Sequence, residues 1–469
     1  MFRVALADWL KRHPSIRKTA GRLMAALPPS VKMGKQFWYW YSFYRQSESW
    51  SPQRMREHQL ESLRNLLRRL SDHSFFYRER LSCVDIEHLD NLDDYAHLVS
   101  TTSRSEFADN YDKILSDDYR SHSLSRSQTS GTTGKALQFY HTTEDQAREW
   151  AAICHQWSRV GYQPGKSRRV EFRGLTSPGS LVDYFPERNM IRCSILNLKP
   201  DNVRHYAGVI GRHKSQFYHG YPSALHLLAQ TIVAENIAFP QPEAVLLASE
   251  EIYPWQLQSI QQAFPKAKLF AHYGCAERTV LAGWCEHRRE YHVLPQYSLV
   301  EIDPESSEII GTNLYNHING FVRYRMTDTV MNSDFEPCPD CGRPYLPRLI
   351  DLGGRSEDYL YSVEKGWIPP AIVTYPLKSL KAIKEVQFVQ DQREAVVMKY
   401  ICHHRKDDAR LKTELDKIRV GLHGLFGNST SFKFELSDDF PRSKSGKFKW
   451  IVCKLDGGPS IRDGKKEHP

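Results

Sequence analysis

The sequence predicts an α/β protein in two parts: a large body of several subdomains with mostly parallel sheets, and a small carboxy-terminal α+β domain. Three observations predict it. At 469 residues the chain is longer than one hydrophobic core ordinarily covers. Between residues 214 and 272 strand-like apolar runs alternate with helical ones, the order that builds parallel sheets. From about residue 354 the texture becomes a short β-β-α-β pattern, large enough to fold as a unit. The boundaries read as a basic amino-terminal segment over 1–37, a body over 38–353 and the small domain over 354–469.

The elements follow in order. Residues 50–80 read as a long helix with Leu60, Leu63, Leu66, Leu67 and Leu70 on one side. Thr143 and Gln146 have capping-box spacing, ahead of a helix whose Trp150, Ile153, Cys154 and Trp157 recur every three to four residues. Lys214 to Tyr218 reads as a buried strand. Pro222 then opens a helix, at a position where its missing NH costs nothing. Ala244 to Ala248 is a strand, Trp255 to Phe264 a helix and Lys268 to His272 a strand. Ligand sites in such sheets lie at the carboxyl ends of strands, where the turns Ser249-Glu250-Glu251 and Tyr273-Gly274-Cys275-Ala276-Glu277 fall. In the small domain Glu385–Val389 and Ala395–Ile401 pair across a short turn. A helix over about 408–425 and a strand near Phe432–Leu436 complete it.

An aromatic content of 12% and charged content of 25% fit a folded protein rather than a disordered one. The net charge of +9 is spread along the chain with no long basic block, which argues against a nucleic-acid partner. The first 35 residues hold eight basic residues and one acid, Asp8, with Phe2, Leu6, Trp9 and Leu10 at helical spacing. That pattern suits either a peripheral contact with an anionic bilayer or a helix packed on the body. There is no apolar run long enough to span a membrane and no secretory h-region. With nine cysteines and no export signal, a reducing cytoplasm, with or without contact at the inner membrane face, is the expected compartment.

The most informative local feature is Thr129-Ser130-Gly131-Thr132-Thr133-Gly134-Lys135. Glycines let backbone NH groups turn toward oxygen anions, the hydroxyls add donors and the lysine adds charge. It is not a Walker A loop, because Ala136 follows the lysine and the first glycine is misplaced. Taken alone, the run suits a solvated surface loop equally well.

Order changes that balance. After this loop come Tyr273-Gly274-Cys275-Ala276-Glu277, Tyr324-Arg325-Met326-Thr327-Asp328, Gly354-Arg355-Ser356-Glu357-Asp358 and Pro441-Arg442-Ser443-Lys444-Ser445-Gly446-Lys447. The series resembles the core motifs of the adenylate-forming enzymes, which include acyl- and aryl-coenzyme A synthetases. Trp50-Ser51-Pro52, Gly220-Tyr221-Pro222-Ser223-Ala224-Leu225 and the Tyr-Gly-x-x-Glu-Arg run ending at Arg278 are most similar to the phenylacetate–coenzyme A ligase-like proteins, including those of capsular polysaccharide synthesis.

The resemblance implies ATP- and Mg²⁺-dependent activation of a carboxylic acid as its adenylate, then transfer to coenzyme A. Transfer to an amine in surface-polysaccharide assembly is the alternative, and a catalytically weak scaffold or peripheral membrane protein is a third reading. Ser130, Gly131, Thr132, Thr133, Gly134 and Lys135 would hold the phosphates, and Glu277 the Mg²⁺. Tyr273 and Gly274 would flank adenine, with Ser249 and Glu250 at another edge of the pocket. Asp328 would accept the ribose hydroxyls. Lys447 would stabilise the adenylation transition state, with Thr132 assisting. Arg355 would touch the nucleotide, and Glu357 matches the hinge about which the small domain turns as a mobile lid. Phe172, Arg173, Tyr218 and Tyr221 are candidates for the acyl pocket, with Arg173 suited to a polar acid. Ala276 departs from the family's usual threonine or serine, and Ala136 from its proline.

Cys338-Pro-Asp-Cys341 has the spacing of a metal knuckle. Cys285 and His292 are a second pair, with His287 as the alternative fourth ligand. Some phenylacetate–coenzyme A ligase-like proteins carry a similar arrangement around zinc, and four protein ligands would make the ion structural.

Overall fold

A computed structural model describes the chain apart from residues 1–22, 24–26, 129–136, 175–179, 196–197, 251, 253, 344–346, 354–358, 369, 374, 378–381, 403–408, 441–450 and 456–469. Statements below concern the described residues. Of the basic segment over 1–37, read as either a membrane contact or a helix packed on the body, residues 1–22 and 24–26 fall outside them. No described helix is long and apolar enough to cross a membrane.

Helix α1 (Pro29–Ser47) contains a non-helical Gly34, whose φ of 80° and ψ of 165° bend it. Beyond the bend Phe37, Trp40, Tyr41 and Tyr44 are buried, so the stretch around residue 38 is part of the body's core. The leucine helix is α2 (Pro52–His73), capped by Ser51 and burying Leu63, Leu66, Leu67 and Leu70. It ends earlier than its pattern suggests. Ser74 takes extended backbone angles, caps α2 and starts a separate short helix, Phe75–Arg80.

Strands β1 (Leu124–Gln128) and β2 (Gln138–Thr142) form an antiparallel hairpin, with Leu124 opposite Thr142 and Gln128 opposite Gln138. Helix α3 (Thr143–Ser158) follows. Its capping box uses Thr142 and Asp145, one residue earlier than the sequence spacing predicts. The Thr142 hydroxyl accepts from Asp145 NH, and the Asp145 carboxylate accepts from Thr142 NH. Asp145 holds the position because its short carboxylate also meets Arg148 and Asn316.

The main sheet has twelve strands: β3 (Arg169–Arg173), β4 (Val182–Phe185), β5 (Met190–Ser194), β6 (Phe217–Gly220), β7 (Ala244–Ala248), β8 (Lys268–Gly274), β9 (Leu281–Trp284), β10 (Tyr291–Val293), β11 (Leu299–Ile302), β12 (Glu308–Thr312), β13 (Tyr324–Asp334) and β14 (Arg348–Gly353). Their order is β11-β12-β13-β14-β10-β9-β8-β7-β6-β3-β5-β4. Pairing is parallel from β5 through β3, β6 and β7 to β8, with helices α4 (Pro200–His213), α5 (Pro222–Ala234) and α6 (Pro254–Ala263) as crossovers. From β9 onward every pairing is antiparallel, since short turns replace the crossover helices. Strand β6 starts at Phe217, later than the Lys214 start read from the sequence. Lys214 sits at φ 55° as the left-handed cap of α4, so the chain only becomes extended at Phe217.

Two apolar cores fill the body. One lies around the parallel strands and α1, the other between α2 and the antiparallel strands. A third belongs to the carboxy-terminal part, where β17 (Ile383–Gln392), β18 (Ala395–Cys402), helix α7 (Ala409–Phe426), β19 (Ser431–Leu436) and β20 (Ile451–Cys453) form a sheet ordered β19-β18-β17-β20. This extends the anticipated β-β-α-β unit by one strand. A ribbon of β15 (Leu360–Ser362) and β16 (Gly366–Ile368) precedes it.

One close approach fixes the junction of the sheet's two halves. A Cβ added at Gly311 would lie 2.6 Å from both the Cβ and the carbonyl oxygen of Thr279, in the segment joining β8 to β9. Gly311→Ala is therefore expected to destabilise the fold by about 1–3 kcal/mol, the usual cost of overpacking; an unchanged urea midpoint would contradict this.

Two buried histidines predict an acid-sensitive fold. Burial, reinforced by Arg159, pushes His155 down to about 3. Burial, reinforced by Arg278, pushes His141 down to about 4. Each stays neutral in the folded chain while the unfolded chain binds a proton near pH 6.5. Their contribution is complete above about pH 6.5 and is lost as the pH falls toward the folded values, by up to about 1.4 kcal/mol per pH unit for each. Urea midpoints at pH 7.5 and 5 should show the decline, and His155→Asn should reduce it.

Candidate functional site

The carboxyl ends of four parallel strands lie side by side. Phe172 pairs with Gly220, Gly220 with Leu247, and Ala248 with His272. Arg173, Tyr221, Ser249 and Tyr273 therefore leave neighbouring strands in one row, the edge at which open α/β sheets bind ligands. Ser249 holds a left-handed φ of 71°, a strained state for a residue with a side chain, and it turns the chain sharply past the strand end. Glu250 follows, half-buried.

Tyr273 and Asp328 come from strands far apart in the sequence and meet here. The Tyr273 hydroxyl donates to Asp328 Oδ2 at 2.7 Å, so the aromatic ring and the carboxylate are parts of one surface. Gly274 and Ala276 are exposed in the following turn, and Glu277 is buried beneath them. A carboxylate oxygen of Glu277 lies 3.9 Å from Arg104, and its carbonyl accepts from Asn313 Nδ2. Arg278, at φ 59°, donates to Glu149 at 2.6 Å. Arg104, Glu149 and Asn313 were not legible as members of this site, because each arrives from an element distant in the sequence.

Ser130, Gly131, Thr132, Thr133, Gly134, Lys135, Arg355, Glu357 and Lys447 lie outside the described residues.

Two of the four acyl-pocket candidates face elsewhere. Phe172 is fully buried edge-on to Tyr218, whose ring packs on Phe239 and Phe264 while its hydroxyl donates to Pro240 O. Both belong to the core because their side chains take the sheet face opposite Glu171 and Arg173. On that other face Glu171 pairs across the strands with His219. Arg173 lies over the Tyr221 ring at 5.1 Å, His219 stacks toward His272 at 6.0 Å, and Trp157 Nε1 donates to His272 Nδ1. Burial opposes the Glu171 carboxylate, but His219 and Arg169 outweigh it and hold the group well below the usual carboxylate range. The candidate acyl wall is thus polar and charged.

A second constellation lies at the β9–β10 turn. Ligand atoms of Cys285, His292, Cys338 and Cys341 all fall within 4.8 Å of one another. Cys285 Sγ is 4.0 Å from Cys338 Sγ, and Cys341 Sγ is 3.7 Å from His292 Nδ1. Edges of a tetrahedron around zinc with Zn–S bonds near 2.3 Å are about 3.8 Å, so the spacing fits that ion. His292, not His287, completes the group. Burial opposes the Cys338 thiolate, but backbone NH groups of Cys341 and Asp340 hold its pKa below the ordinary thiol value. Arg343, next to the knuckle, pairs with Glu286 at 2.5 Å and with Glu48 at the end of α1 at 2.7 Å.

Comparison with known proteins agrees with this architecture. The family model of the CapK C-terminal domain matches residues 360–454. Protein CapK of Staphylococcus aureus is 22% identical over 364 residues, covering 75% of this chain and 79% of CapK. Phenylacetate–coenzyme A ligase of Pseudomonas putida is 24% identical over 425 residues, covering 85% and 94%. Among solved structures, 2-hydroxyisobutyryl-CoA ligase in the postadenylation state with R3-HIB-AMP aligns with a TM-score of 0.55 at 17% identity, over 91% of this chain and 94% of that one. The same enzyme with 2-HIB-AMP and CoA in the thioesterification state aligns at 0.54 and 17%, over 87% and 91%. Over nearly its whole length the chain has the fold of the adenylate-forming ligases, and its sequence is similar to CapK and to phenylacetate–coenzyme A ligase.

Proposed function

We propose that the protein joins a carboxylic acid to ATP as an acyl-adenylate, with release of pyrophosphate, and then passes the acyl group to coenzyme A. The observation that carries this is the strand-end row in which Tyr273 and Asp328 are hydrogen-bonded beside Ser249 and above Glu277. In the first step a carboxylate oxygen bonds the α-phosphorus and pyrophosphate leaves. In the second the thiolate attacks the acyl carbon and AMP leaves.

Two anions must meet in the first step, so fixed positive charge is needed where the negative charge gathers. Lys447 and Lys135 are the residues assigned to that task, with Thr132 and Thr133 supplying hydroxyl donors in place of the one missing at Ala276. Arg355 contacts the nucleotide, and Glu357 is the pivot of the carboxy-terminal domain. Asp328 takes the ribose hydroxyls. Glu277 would be the carboxylate for Mg²⁺, a hard cation that prefers such oxygens. The face formed by Glu171, Arg173, His219 and His272 favours a small polar acid over a fatty one, because long apolar chains would leave these groups unpaired. An amine acceptor in surface-polysaccharide assembly is the second reading; the similarity to CapK bears on the polysaccharide setting and not on the acceptor.

Cys285, His292, Cys338 and Cys341 hold a structural zinc in this reading. Four protein ligands close the coordination shell, so the ion ties β9–β10 to the knuckle and takes no part in the reaction.

Lys447→Ala is expected to abolish acid-dependent exchange of labelled pyrophosphate into ATP while the melting temperature stays unchanged; full exchange by the variant would defeat the assignment. Adding coenzyme A or candidate amines to the active acid then identifies the acceptor. Cys338→Ser should lower the melting temperature and release one zinc per chain, read by elemental mass spectrometry. Wild-type protein without zinc would refute the metal site.

A further inference from the structure

We propose that Asp118, His122 and His317 form a second metal site, for a divalent transition ion that accepts imidazole ligands, such as Ni²⁺ or Zn²⁺. One ligand atom from each of the three lies within 4.8 Å of the others. Asp118 and His122 flank the single 3₁₀ turn Tyr119–Ser121, which brings them to one side, with His122 Nε2 3.6 Å from Asp118 Oδ2. His317 arrives from the loop between β12 and β13, its ring centroid 5.4 Å from that of His122.

The hydrogen bonding favours an ion over a closed polar cluster. Nε2 of His122 and Nε2 of His317 are both buried with no hydrogen-bond partner, and the 3.6 Å separation from Asp118 is too long to supply one. Two such nitrogens side by side are costly unless something takes their lone pairs. Asp118, by contrast, is already oriented. Oδ1 accepts from Ser116 Oγ at 2.5 Å and Oδ2 from Arg69 at 2.6 Å, the kind of outer support that ligating carboxylates usually have. The Arg69 charge works against hard cations bound mainly through carboxylate. The two imidazoles shift the preference to ions with affinity for nitrogen.

The site is separate from the proposed ATP pocket. It adjoins the Leu124–Thr142 end of the β1–β2 hairpin and shares no residue with the Tyr273–Asp328 strand-end row. His122 and His317 also line a cleft of about 330 Å³ beside the start of α3. Three protein ligands leave coordination positions for water or a small donor from that cleft.

The test is Ni²⁺ titration of untagged, full-length, zinc-loaded protein by calorimetry, with absorption spectra recorded in parallel. One saturable equivalent per chain is expected, without a thiolate-to-metal charge-transfer band. His317→Gln and His122→Gln should each weaken it at least tenfold while zinc content stays at the wild-type level. Should His317→Gln fail to fold, His122→Gln decides, since that side chain is 30% exposed. Absence of saturable binding, a thiolate band, or equal affinity in a folded histidine variant would each overturn the proposal.

Discussion

The turn between β8 and β9 is the constraint on which the rest of the molecule depends. Here a parallel sheet becomes an antiparallel one, and the two apolar cores of the body meet at its sides. Its conformation is imposed from three directions. Gly311 admits Thr279 against the β12 backbone, Asn313 holds the Glu277 carbonyl, and Glu149 on α3 takes Arg278. A turn fixed this firmly presents Tyr273, Gly274 and Ala276 at the surface while keeping a carboxylate just below. Pre-set polar groups at a rigid strand end are what charge-stabilising catalysis requires.

The same region carries an unusual load of buried charge. Arg148 is almost fully enclosed, bonded to Asp145 and Asn313 and lying against Tyr315 at 4.5 Å and Tyr297 at 5.4 Å. Removing one partner of such a pair commonly costs about 3–5 kcal/mol, because the other is left uncompensated. The charges gain their keep through uniqueness of packing: Asp145 caps α3, pairs with Arg148 and holds Asn316, so helix and loop have one mutual arrangement. That arrangement orients the Asn313–Asn319 loop, which reaches from Glu277 at one end to His317 near the other.

Much of this was legible in the sequence, and the failures have physical causes. Strands β7 and β8 and helices α5 and α6 follow directly from apolar runs, Pro222 and the intervening polar turns. Which face of β3 and β6 lines the pocket was not legible, because both strands are buried on both sides, although Arg169-Val170-Glu171-Phe172-Arg173 does alternate. Phe172 and Tyr218 were therefore placed in the pocket when Glu171 and His219 have that parity. The start of β6 was missed because Lys214 adopts a left-handed cap, a backbone state that a lysine does not announce. The Cys-x-x-Cys spacing and the Cys285–His292 pairing could be read locally, since each pair is close in sequence. Arg104 near Glu277, and His317 beside His122, could not: nothing in a linear pattern marks a contact between elements this far apart in the chain.

Glu48 has a reach beyond its own helix end. It receives Arg343 from the cysteine knuckle and lies 3.6 Å from Arg159 on the segment after α3, so the knuckle is wired to α1 as well as to β9 and β10. One carboxylate thus braces both the cysteine knuckle and the place where the aromatic residues of α1 lie against α3.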